Sequence, residues 1–251
     1  MALRLGDRTF APRGWALLLA GALVAGCVTA GYWQIGRGRE KQALVEAFAL
    51  GGSTVVVPGP GPLDGQPRYQ RVELSGRLDP SRQILLDNMP SGTGRPGFRV
   101  LTPLRRDAGS RLLLVDRGWV PLGPTREALP DVAVSDEPRV VRGRLDRLPE
   151  PALRAGPAAT PGATAWPRVL NFPTHADVEQ ALGESVEPRI LLLDPDLRDG
   201  YERQWRPALR FGPERHLGYA IQWFALALAL VVAFVALSLR RLPDPRDTDR
   251  R

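Results

Sequence analysis

Two uncharged apolar stretches, residues 14–33 and 217–239, lie near the ends of this chain, with about 180 mostly polar residues between them. At a rise of 1.5 Å per residue each reaches about 30 Å, the thickness of a hydrocarbon core. Arg13 opens the first stretch and Arg240 and Arg241 close the second. Trp15, Tyr32, Trp33, Tyr219 and Trp223 sit near the ends, where amphipathic rings favour the membrane interface. The layout predicts an integral membrane protein, in contact with the lipid bilayer, that carries one large extramembrane domain.

The first stretch has two rival readings. Arg4, Arg8 and Arg13 form a basic leader, and Val28-Thr29-Ala30 has the small residues of a signal-peptide cleavage site. Val24-Ala25-Gly26-Cys27 has the form of a bacterial lipobox, with Cys27 as the lipid-bearing residue. The apolar run continues past either cut to Trp33 and exceeds the usual leader core of about 7 to 15 residues. Length therefore favours an uncleaved span.

Two spans place both ends of the chain on one side of the membrane. The flanking segments carry Arg4, Arg8, Arg13, Arg240, Arg241, Arg246, Arg250 and Arg251. Short basic segments tend to stay in the cytoplasm, whereas a long domain is translocated despite its own arginines. Arg37, Arg39, Lys41 and Arg215 on the domain side reduce the contrast. The expected order is a cytoplasmic tail (1–13), a span (14–33), a helical extension and linker (34–67), an external domain (68–216), a second span (217–239) and a cytoplasmic tail (240–251).

A net charge of +7, a single lysine and abundant Arg, Ala, Gly and Pro fit a bacterial inner-membrane protein with GC-rich coding. A basic chain invites a nucleic-acid reading. Here the arginines are scattered without a binding motif, so no nucleic-acid partner is expected. Cys27 is the only cysteine, which excludes an intrachain disulfide. The external domain has to be held by its core, and its length permits one.

Along that domain, Gln34 to Phe48 continues the first helix, with Leu44, Val45 and Phe48 on one face. Residues 51–67 are dense in Gly and Pro and read as a linker. Val72, Leu74, Gly76 and Leu78 then alternate with Arg71, Glu73, Ser75 and Arg77, the period of a half-buried strand. Further strands are predicted at 83–87, 97–104, 111–120, 139–146 and 189–194. A helix is predicted near 174–182, capped by Thr174 and stopped by Gly183. Short links and few crossover helices predict an α+β, mainly antiparallel, barrel-like domain. Small residues at Ala22, Gly26 and Ala30, and at Ala225, Ala229 and Ala233, mark faces on which helices can approach closely.

Material for catalysis is scarce. His175 and His216 are the only histidines, and neither a Gly-rich phosphate loop nor a CxxC pair occurs. Asp87, Asp116 and Asp194 each end an apolar run, and would bind a hard cation or serve as acid and base if the strand ends converged. The competing reading is that an Asp at a strand end starts a turn. Arg117-Gly118-Trp119 reads as architecture, with Gly118 permitting a special backbone and Trp119 packing on the sheet.

Tyr32-Trp33-Gln34 followed by Arg37, Glu40 and Lys41, the segment Gly97-Phe98-Arg99-Val100-Leu101-Thr102-Pro103-Leu104, the segment from Leu112 to Pro121 with its Asp116-Arg117-Gly118-Trp119, and Arg215-His216-Leu217-Gly218-Tyr219-Ala220-Ile221-Gln222-Trp223-Phe224 together resemble the Surfeit locus protein 1 family. These are cytochrome c oxidase assembly proteins. The four motifs run in order over nearly the whole chain. Asp116 departs from the Asn that many members carry, and residues 149–167 match poorly.

The resemblance implies a non-catalytic assembly role in respiratory-chain biogenesis: a chaperone that delivers or protects haem a while subunit I of the oxidase matures. It implies subunit I and haem A synthase as partners. His216 stands at the membrane boundary, with Tyr219, Ala220, Trp223 and Ala227 on the same helix face. An imidazole beside flat aromatics and small residues can hold haem through an axial nitrogen. The alternative for the same residues is an interfacial belt that fixes helix depth.

Overall fold

The computed structural model describes residues 3–5, 8–59, 61–106, 110–125, 128–150, 158, 165–207, 209 and 211–241. In chain order the elements are β1 (Leu3–Leu5), β2 (Arg8–Phe10), α1 (Gly14–Leu50), β3 (Val55–Val56), β4 (Arg71–Leu78), β5 (Ile84–Leu86) and β6 (Gly97–Arg105). They continue with β7 (Leu112–Pro121), β8 (Arg139–Asp146), β9 (Arg168–Leu170), α2 (His175–Leu182), β10 (Val186–Leu193), α3 (Pro213–Ser238) and β11 (Leu239–Arg241). They divide into two units, Met1–Leu44 with Leu209–Arg251, and Val45–Ala208. The segment 149–167 falls largely outside the described residues.

Among the described residues, α1 and α3 are the two helices long and apolar enough to cross a membrane, and their apolar portions lie in the first unit. At one point of their contact stands Gly31, where an added Cβ would lie 2.7 Å from the Phe224 ring. Tyr32 meets the same ring edge-on at 5.5 Å, and Cys27, Ala220 and Ala227 are buried beside it. The small-residue faces singled out from spacing do not form this seam: Ala22, Gly26, Ala225, Ala229 and Ala233 are exposed. A large ring seats itself where a side chain is missing, and Gly31 lies about 140° round the helix from Gly26. The segments read as tails carry three of the short strands. β2 pairs antiparallel with β1 and with β11, Phe10 opposite Leu239, so the outer ends of the two helices meet in one small sheet.

In the second unit, β4, β8, β10, β7 and β6 follow one another as neighbours, and β4 pairs again with β6 through Leu78 and Leu104. The ring is a closed five-stranded barrel. All its pairings are antiparallel except β10 with β7, which run parallel with Leu192 beside Asp116. β3, β5 and β9 extend the sheet outside the ring.

Side-chain alternation divides the core. Val72, Leu74, Leu113, Val115, Val141, Leu191 and Leu193 fill one cluster, while Leu112, Leu114, Ile190 and Leu192 turn to the other face. There they meet β5 and the helix α2, which contributes Val178 and Leu182. β7 is thus buried on both faces, which is why it reads as an unbroken apolar run rather than an alternating one. α2 forms where its caps direct: Thr174 and Asp177 make a reciprocal capping box, and Gly183 takes the left-handed conformation at φ 70°.

Candidate functional site

His216 lies in the first turn of α3, half-buried, and its Nδ1 is 2.8 Å from Oε1 of Gln34 on α1. An amide oxygen only accepts, so this bond fixes the tautomer with the proton on Nδ1. The lone pair on Nε2 is left for a metal or a donor. Tyr219 and Trp223 follow on α3 with 50% and 37% exposure, whereas Ala220 and Ala227 are turned into the seam. The face read from spacing is therefore split, its aromatic members outward and its small members inward. A cleft of about 520 Å³ is lined by Ile35, Gly38 and Arg39 of α1 and Pro213, Glu214 and Leu217 of α3.

The three aspartates do not converge. Asp116 is wholly buried, paired with Arg99 and accepting the Gly118 amide at 3.0 Å. Burial pushes its carboxyl above the usual range, opposed by Arg99. Asp194 accepts from Arg71 Nη2 at 2.5 Å and Nε at 2.9 Å, an arrangement that raises the arginine further. Asp87 follows β5, which β6 separates from β7, and it accepts the Asn88 amide at 2.7 Å in a turn where Asn88 has φ 58°. Among the described residues no group of three His, Cys, Asp or Glu side chains is placed to hold a metal. Two of the three carboxylates are neutralised by arginine, which is a structural use of the charge.

Arg117-Gly118-Trp119 is where the β6–β7 ladder slips: Arg99 faces Trp119, yet Leu101 faces Asp116. Arg117 and Gly118 together oppose one residue, a β-bulge, with Gly118 at φ 109°. The bulge turns Arg117 inward to 1% exposure. Its guanidinium donates to Asp199 O at 2.6 Å, Val132 O at 2.8 Å and Gln83 Oε1 at 2.9 Å. Burial lowers its pKa, with Tyr201 and Asp199 opposing. The bulge also carries the segment after β10, through Tyr201 N–H to Arg117 O at 2.7 Å and Trp119 N–H to Glu202 O at 2.9 Å.

That segment builds a groove that sequence reasoning missed. It measures about 300 Å³, and its lining includes Arg99, Trp119, Glu202, Gln204, Trp205 and Arg206. The only local hint was the run Gln204-Trp205-Arg206 outside any predicted strand.

Two long apolar helices, one before and one after a closed five-stranded barrel in the chain, define a membrane protein with a barrel domain. The family described as SURF1 matches residues 21–228. The chain is similar to the SURF1-like protein of Rickettsia conorii (strain ATCC VR-613 / Malish 7), 24% identical over 216 residues that cover 83% of this chain and 85% of the relative. The SURF1-like protein of Rickettsia bellii (strain RML369-C) is 25% identical over 215 residues, 82% of this chain and 84% of its own. Surfeit locus protein 1 of Takifugu rubripes is 30% identical over 125 residues, 43% of this chain and 50% of its own. The chain belongs to the SURF1 family. Membership is consistent with a role in cytochrome c oxidase assembly.

Proposed function

We propose that this protein is a non-catalytic assembly factor of a haem-copper cytochrome c oxidase, and that it assists delivery of haem a to subunit I. The observation that carries the reading is the His216–Gln34 bond, which fixes the imidazole and leaves Nε2 free at the boundary of an apolar helix. The donor set suits the cargo: neutral imidazole is an ordinary axial ligand of haem iron, and Tyr219 and Trp223 offer flat faces beside it. Haem a would be held in passing, with haem A synthase as supplier and subunit I as acceptor. The site belongs to the inner membrane of a bacterium, both chain ends in the cytoplasm and the barrel in the periplasm. The basic flanks support that orientation.

The test is an optical spectrum of the full chain purified from cells that make haem a. A haem band that is lost in His216→Ala and weakened in Gln34→Leu, at normal protein level, supports the reading. An unchanged band in both variants returns His216 to the role of a depth anchor. Protease added from the periplasmic side should cut within the barrel while Cys27 stays unmodified. A mature protein beginning at Cys27 or Gly31 would remove the first span.

A further inference from the structure

The barrel groove holds a cation, Arg99, that its surroundings cover only in part. Arg99 is ion-paired with Asp116 behind it and stacks on the Trp205 ring at 5.1 Å, yet 22% of its side chain still faces outward. No other acceptor for it occurs among the described residues, and its Nε is buried without a partner. A guanidinium offers five N–H donors, and buried donors left over call for an acceptor. Beside it Arg206 is exposed and has no carboxylate partner among the described residues. The one acid at the edge, Glu202, is engaged by Arg95 at 3.2 Å, and Arg95 itself lies over the Trp119 ring at 5.0 Å.

The aromatic walls are fixed in place. Trp119 spends its indole N–H on Met89 O at 2.8 Å and Trp205 spends its own on Leu193 O at 2.7 Å. Both rings therefore need nothing polar from a ligand, the half-buried Trp205 offering carbon surface and the 7%-exposed Trp119 only its rim. Two indoles around two arginines, open on one side, have the composition of interface anchor sites. The charge left unanswered is positive.

We propose that this groove docks an acidic segment of a partner polypeptide, with one Asp or Glu carboxylate on Arg99 and Arg206 and the neighbouring apolar side chain against Trp119 and Trp205. The proposal rests on the assembly-factor reading for the polypeptide nature of the occupant. The carboxylate preference rests on the groove alone. Gln204 lines the same groove, is exposed, and supplies hydrogen bonds to the segment's backbone.

The experiment uses the full chain in nanodiscs, with ¹⁵N-labelled indoles assigned by Trp→Phe replacement, titrated with acetyl-Leu-Glu-Leu-amide. Saturable shifts confined to Trp119 and Trp205, with Trp15, Trp33, Trp166 and Trp223 still, are expected. Binding should weaken about tenfold or more for the Gln counterpart of the peptide and for Arg206→Gln, since a charge-assisted pair is lost in each. Arg206 is exposed, so that variant should melt as the parent does. Arg206→Glu should lose the Glu peptide and gain acetyl-Leu-Lys-Leu-amide. Equal affinity for the Glu and Gln peptides would overturn the proposal, as would acetate alone reproducing the shifts, or no shift at all. None of these outcomes bears on haem binding at His216, so failure here is distinguishable from failure of the assembly reading.

Discussion

The indole of Trp119 lies over Gly97 on the neighbouring strand, so close that a Cβ there would come within 2.5 Å of the ring. The same Cβ would also meet the Val120 carbonyl oxygen, which is backbone and yields little. Gly97→Ala should therefore cost about 1–3 kcal/mol, the range of overpacked sites, and displace the ring that walls the groove. Thermal unfolding together with tryptophan emission checks both effects. A variant that melts with the parent would show that the two strands can part at this point without loss.

Arg117 is a larger liability. Removing it takes a donor from Val132 O and from Gln83 Oε1, both in buried bonds, and empties a site in which the side chain is 1% exposed. Arg117→Ala should destabilise by about 3 kcal/mol or more, and Arg117→Lys by nearly as much, because one ammonium cannot replace a planar fork. Urea unfolding measures the loss. Haem content per folded molecule should stay at the parental value, in contrast to His216→Ala.

Asp116 gives a pH signature. Burial, opposed by Arg99, holds its folded-state pKa above the ordinary carboxylate value. Its contribution is thus complete below the unfolded pKa and is lost as pH rises through the folded one. Asp116→Asn removes the titration while keeping the shape. Unfolding free energies compared between about pH 4 and pH 8 should show the parent losing ground to the variant as pH rises. A constant difference would mean that the carboxylate keeps one charge state throughout.

The helix seam predicts its own asymmetry. Gly31→Ala places a methyl 2.7 Å from the Phe224 ring, whereas Ala22→Leu adds volume on an exposed face. Gly31→Ala should lower the melting temperature in detergent, and Phe224→Ala should rescue it, because the clash needs both partners. Ala22→Leu should be neutral in the isolated protein. Rescue that fails in the double variant would place the strain elsewhere.

Much of the barrel was legible because its strands are half-buried. The alternation from Arg71 to Leu78 and the cap residues Thr174 and Gly183 are local signals, and the elements fall where those residues place them. What local pattern cannot carry is pairing at a distance. Nothing near Leu114 announces that Ile190 lies parallel beside it, and the three-residue β9 is too short to show a period. The sites follow the same division. His216 stood out by type, but Gln34, 182 residues away, became its partner only through the meeting of two helices. The aspartates were conspicuous as strand ends, while the arginines that neutralise Asp116 and Asp194 come from other strands. The groove escaped notice because its two indoles, Trp119 and Trp205, sit on segments joined only by a bulge.

The pairing of Phe10 with Leu239 encloses everything between them, both long helices and the barrel, in one loop of more than two hundred residues. During synthesis Arg8–Phe10 leaves the ribosome well before β11, which follows the last turn of α3. No nascent chain can make this pairing before its second helix has been translated. The small sheet is therefore carried only by chains in which both helices are present and their outer ends have met.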